Sequence, residues 1–172
     1  MKRSILLALV LVATVCGAGE YSNRRAPGFS LYDSHLVQHD PQDYRGKLVL
    51  VDFMLTTCPV CQKLADVLVK VKANYGDRIA IMSVMTGPDN YQTADDFAAA
   101  YKITWPMLLD SGQVMMSYMK LTPSNPQMHF PHLFLIDGDG MIRNDFEGDK
   151  EPVTVESLSK EIDKLLHPTK GT

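Results

Sequence analysis

Cysteine is scarce in this chain, tryptophan scarcer still, and long apolar or basic runs are missing. Three cysteines occur in 172 residues, Cys16, Cys58 and Cys61, and there is one tryptophan, Trp105. So few cysteines exclude a disulfide-dense secreted scaffold. No stretch reaches the roughly 18 to 20 apolar residues of a bilayer-spanning helix. With 17 basic against 20 acidic residues the formal charge is −3, and no Lys/Arg-rich run offers a field for nucleic acid, so none is expected as a partner. Proline, glycine and charge sit at ordinary levels, and 45% hydrophobic residues suffice for the core of one α/β domain.

What is there begins with a short apolar segment, residues 5–15. Lys2 and Arg3 precede it, and Gly17, Ala18 and Gly19 follow. That is the layout of a secretory signal peptide cleaved near Ala18. The alternatives are an uncleaved membrane anchor or a lipid-modified Cys16, the latter opposed by the bulk of Val15. The expected division is therefore a signal peptide over 1–18, a polar linker over 19–25 and one domain over 26–168. The protein is expected to be exported to a periplasmic or other extracytoplasmic space, with attachment through the N-terminus as the alternative and no membrane span in the mature domain. Removing residues 1–18 takes away Lys2 and Arg3, so the charge of −3 becomes −5.

"LVLVDFML", 48–55, is apolar on both faces, as in a central strand covered on both sides, and Asp52 is its only charge. From Pro59, apolar residues Val60, Leu64, Val67, Leu68, Val71 and Tyr75 recur at helical spacing up to a stop at Gly76. "RIAIMSVM" predicts a second buried strand, followed by a helix over 93–101, a strand over 107–109 and a helix over 113–120. A hairpin of 133–136 against 141–146 turns at Gly138-Asp139-Gly140, and a final helix spans 154–166. Met115, Met116 and Met119 read as core filling on their helix. "LTPSNPQMHF" reads as a loop beside the site.

After export only Cys58 and Cys61 remain. A disulfide between them closes so small a loop that chain entropy gives it about 2 kcal/mol, against nearly 5 for a loop of about 100 residues. Structural stapling is thus a poor reason for the pair. A helix starting at Pro59 puts Cys58 at its positive end, facing N–H groups without helical partners. This favours a thiolate at Cys58 as the attacking sulfur, with Cys61 one turn along as the resolving thiol. Asp52, a carboxylate inside an apolar strand, is expected to bind its proton unusually tightly and to accept the proton of Cys61. The rival is a metal half-site. Zinc needs two more ligands, and His129 and His132 are closer together than the usual pair.

These residues resemble a family. "APGFSL", "DYRGKLVLVDF", Cys-Pro-Val-Cys, "WPMLLD" and "FPHLFLIDGDG" follow one another as in the thioredoxin-like redoxin (AhpC/TSA-like) superfamily. The match is closest to its exported TlpA/ResA-like thiol-disulfide oxidoreductases. The resemblance covers about 26–148 and implies a thioredoxin-like α/β fold, a central mixed β-sheet flanked by helices. It makes Cys58 the nucleophile, Cys61 the resolving cysteine, Asp52 the buried acid and Pro131 a cis-proline facing the disulfide. Phe130, Pro131, Thr57 and Pro59 become the substrate-facing residues. The implied partners are protein thiols and disulfides and an exported or membrane thiol electron donor, with no cofactor beyond the Cys58–Cys61 disulfide. Val60 provides no charge to destabilise that disulfide, which points to a reductant or isomerase rather than an oxidant.

Two departures stand out. Thr57 occupies the place where the family usually has tryptophan, so the aromatic edge beside the disulfide is expected to be absent. Leu55 stands where peroxiredoxins have threonine, which speaks against peroxidase activity. A second relative, the Sco-type copper chaperone, binds copper through two cysteines and a histidine. His129, eight residues before Asp137, matches that histidine, so the alternative is a copper-binding chaperone using Cys58, Cys61 and His129.

Overall fold

In the computed structural model, residues 19–148 and 150–167 are described, and the expectations for the segment 1–18, Cys16 included, lie outside them. The elements follow as β1 (Arg24–Arg25), β2 (Leu31–Tyr32), β3 (Gln38–His39), β4 (Leu48–Met54), α1 (Pro59–Tyr75), β5 (Ile79–Met85) and α2 (Tyr91–Tyr101). They continue with β6 (Met107–Leu109), α3 (Gln113–Tyr118), β7 (His132–Ile136), β8 (Met141–Glu147) and α4 (Val155–Leu166). Six strands form one mixed sheet in the order β1-β8-β7-β4-β5-β6, and β2 pairs with β3 alone. β4 is central, parallel to β5 and antiparallel to β7. This is the thioredoxin-like architecture, as the resemblance implied.

The two-residue period of β4 explains the layering. Val49, Val51 and Phe53 face one side, where they pack with Phe134, Met115 and Tyr118 of α3. Leu48 and Leu50 face the other, against Leu64, Leu68 and Val71 of α1 and Leu158 and Ile162 of α4. Asp52 is in phase with the second set, so it points under α1. Each fully buried leucine in such a layer stabilises by about 1.5–3 kcal/mol relative to exposure.

Helix ends sit where local chemistry puts them. α1 stops at Gly76, whose φ of 55° suits a residue without a Cβ. α2 and α4 start at Asn90 and Thr154 through reciprocal caps with Thr93 and Ser157. Met115 and Met119 are buried as expected of core filling, but Met116 is half-exposed at 51%.

The segment 19–25, expected as a linker, is docked on the domain. Arg24 and Arg25 pair with Ile142 and Met141 of β8. The Tyr21 N–H and the Ser22 hydroxyl donate to Asp145 at 3.0 and 3.1 Å. The sequence reading missed this because a two-residue strand has no periodicity and its partner lies over a hundred residues away.

Candidate active site

The turn after β4 delivers Cys58 to the start of α1. The Cys58 N–H donates to Leu55 O at 3.1 Å, closing a four-residue turn, and Cys58 is the N-cap of α1 with extended backbone. Its Sγ accepts the Cys61 N–H at 3.4 Å, so a backbone donor of the first helical turn is aimed at the sulfur. Pro59 occupies the first turn, and no acidic side chain there opposes a negative charge on Cys58. Cys58 is half-buried, Cys61 fully buried, and both are free thiols. This exposes one sulfur to an incoming disulfide and keeps the other beneath it.

The turn is also clamped from the side. Thr56 N donates to Asp89 Oδ2 at 2.9 Å, its hydroxyl donates to Asp89 Oδ1, and its carbonyl accepts from Gln62 Nε2 at 2.9 Å. Asp89 also accepts from the Thr93 hydroxyl at 3.3 Å, which ties this turn to the start of α2. All three polar groups of Thr56 are thereby fixed, two residues before the nucleophile.

Beneath α1, Asp52 is 1% exposed, and its Oδ1 has no hydrogen-bond partner. Burial pushes its carboxyl up to about 7, with a hydrogen bond from Ser83 pulling the other way. Burial pushes the Cys61 thiol well above its ordinary value; contact with Cys58 and the charge of Asp52 add to this, and a backbone hydrogen bond from Leu55 opposes it. Burial thus favours the neutral thiol at Cys61, and the buried Asp52 is one of the groups whose charge acts on it.

The far wall comes from the segment just before β7. The Phe130–Pro131 peptide bond is cis, and the Phe130 carbonyl accepts from Cys58 Sγ at 3.8 Å. Thr57 is exposed, as befits a residue without an aromatic anchor. Phe130 packs against the apolar cluster of Met54 and Cys61, against which Cys58 also packs.

His129 is half-buried, and among the described residues no group of three His, Cys, Asp or Glu is placed to hold a metal, so Cys58, Cys61 and His129 are not gathered into one. His132 is buried, with Nε2 3.0 Å from Asp145 Oδ2 and its ring stacked on Phe134.

Several residues that complete the site escaped the sequence reading. Gly148 N donates to Pro131 O at 2.9 Å, and a Cβ on Gly148 would lie 2.7 Å from Pro131 Cγ. A groove of roughly 300 Å³ runs along this wall between Val60, Lys63, Pro131, Gly148 and Val153. Asp89, Ser83 and Gly148 belong to no local motif, and only the fold brings them to the cysteines.

Comparison with known proteins agrees with the geometry. The Redoxin family matches residues 21–162. The thioredoxin-like protein YneN of Bacillus subtilis (strain 168) is 27% identical over 133 residues, covering 73% of this chain and 71% of that protein. The thiol-disulfide oxidoreductase ResA of Geobacillus thermodenitrificans is 25% identical over 177 aligned residues, covering 96% and 95%. Among solved structures, a thioredoxin-family thiol:disulfide interchange protein from Chlorobium tepidum TLS superposes with a TM-score of 0.72 at 16% identity, covering 83% of this chain and 96% of that one. A secreted disulfide oxidoreductase of Mycobacterium tuberculosis gives 0.67 at 18%, covering 80% and 96%. The last two establish the fold. By family, fold and cysteine pair together, this chain belongs to the Redoxin family as a thioredoxin-like oxidoreductase.

Proposed function

We propose that the protein is an exported thiol-disulfide oxidoreductase that reduces or isomerises protein disulfides through Cys58 and Cys61. One observation supports this above the rest: a half-exposed sulfur at a helix start, receiving a backbone N–H, above a sealed second thiol and a buried acid.

The chemistry balances as two exchanges. The Cys58 thiolate attacks one sulfur of a substrate disulfide, an S–S bond forms between them, and the other substrate sulfur leaves as a thiolate. Asp52 then takes the Cys61 proton, and Cys61 sulfur attacks Cys58 Sγ. The Cys58–Cys61 disulfide forms, the second substrate sulfur leaves, and two electrons have passed to the substrate. Pro131 and Phe130 flank the incoming chain, and Thr57 and Pro59 form the rim. No cofactor beyond the dithiol takes part, and another exported or membrane thiol carrier re-reduces the pair.

Direction follows from the absence of a charge at Val60, which leaves the disulfide unstrained by a neighbouring cation. A potential nearer thioredoxin's, about −270 mV, than the strong oxidant's of about −120 mV is expected on equilibration with glutathione. In exchange with a protein disulfide, Cys58→Ser abolishes turnover and Cys61→Ser accumulates the mixed disulfide, read as a mass increase. A reduced chain that performs no exchange sinks the proposal. Stoichiometric Cu(I) uptake that is lost in His129→Ala, with no exchange activity, replaces it with a copper chaperone. Export is checked by fractionation and N-terminal sequencing of the mature protein, which is expected to start near Gly19.

A further inference from the structure

The lone tryptophan lies far from the cysteines in sequence, yet it connects to the buried acid through one side chain. Ser83 of β5 stands directly beside Asp52 of β4 in the parallel register, so the two side chains share the face under α1. On the other flank Asp52 pairs with Leu133, which offers no polar atom. Ser83 is 1% exposed, and as the cross-strand neighbour of Asp52 its hydroxyl lowers the proton affinity of the Asp52 carboxyl. Trp105, itself 7% exposed, donates its Nε1–H to Ser83 Oγ at 2.9 Å.

The roles in this chain are forced. An indole N–H only donates, whereas a hydroxyl has one hydrogen and two lone pairs. With Trp105 occupying a lone pair of Ser83, the Ser83 hydrogen is free for Asp52. A carboxylate that receives a hydrogen bond in a dry site is favoured over its acid form. Among the described residues, the titratable group coupled to Asp52 is Cys61 of α1.

We propose that Ser83 and Trp105 are positioning residues for proton transfer at Asp52: Trp105 orients the Ser83 hydroxyl, and Ser83 holds Asp52 ready to accept the Cys61 proton. This rests on the proposed exchange chemistry for its purpose, but its test does not require turnover. Because Trp105 is the only tryptophan, its emission reports the state of the chain to which it is bonded.

The experiment titrates Trp105 fluorescence of the reduced full-length chain between pH 5 and 9 in wild type, Asp52→Asn, Ser83→Ala and Ser83→Thr. Wild type is expected to show a transition that Asp52→Asn abolishes. Ser83→Ala is expected to move it to higher pH, raising proton affinity about tenfold, the worth of one hydrogen bond to a charge. Ser83→Thr, which keeps the hydroxyl, restores it. In parallel, the pH profile of kcat/KM for exchange shifts alkaline in Ser83→Ala and in Trp105→Phe, the latter covering the case in which Ser83→Ala does not fold. A transition that is absent in wild type, survives Asp52→Asn, or stays in place in Ser83→Ala overturns the inference. Absence of exchange in wild type with the titration as described overturns the proposed function alone.

Discussion

Asp52 makes the energetics of this fold depend on pH in a direction opposite to most carboxylates. Its folded value near 7 lies above the ordinary 3.8, so folding favours the protonated form. Its contribution to stability is fully present below about pH 4 and is lost as pH rises toward 7, a total of about 4 kcal/mol. Between pH 5 and pH 8 the loss is about 2.5 kcal/mol. Asp33 and Asp137 act the other way, since their folded values are held low by backbone and side-chain hydrogen bonds that overcome partial burial. Their stabilisation disappears only below about pH 4, outside this window. Guanidinium denaturation of the reduced protein at pH 5, 6, 7 and 8, compared with Asp52→Asn, isolates the one residue. The advantage of Asn over Asp is expected to grow by about 2 to 3 kcal/mol across the window. A difference that stays within about 0.5 kcal/mol from pH 5 to 8 refutes the burial argument.

Other perturbations test other parts of the site. Gly148→Ala drives a methyl group to 2.7 Å from Pro131 Cγ, on a ring that has little freedom to yield. A stability loss of about 1–3 kcal/mol with exchange slowed about tenfold or more is expected, and exchange kinetics within twofold of wild type counts against Pro131 as a substrate wall. Thr56→Val removes the hydroxyl from the Asp89 clamp while leaving the charge in place. It is expected to slow alkylation of Cys58 several-fold, Thr56→Ser to restore it, and the double variant with Asp89→Asn to be no worse than the poorer single; additive effects show that the two residues act separately. Leu68→Ala, fully buried between α1 and the sheet, is expected to cost about 2–5 kcal/mol in chemical denaturation with the redox potential unchanged.

Much of this protein follows from its sequence alone. The apolar runs at Leu48–Met54 and Ile79–Met85, interrupted only by Asp52 and Ser83, demand coverage on both faces, and the helical spacing after Pro59 demands one covering layer. Together they place Cys58 at a helix start before any coordinate is known, because strand, turn and helix are local features. Tertiary structure decided what stands around the sulfurs. Phe130 packs against the same apolar cluster as Cys58, and His132 pairs with Asp145. Arg24 and Arg25 of the expected linker form an edge strand, and Ser83, Trp105, Asp89 and Gly148 reach the site from separate elements. Periodicity records which face of an element is buried, but it carries no address for the partner across the sheet. The cysteine pair was legible because its chemistry depends on four consecutive residues and a helix end, whereas the setting of Asp52 depends on which strand lies beside which.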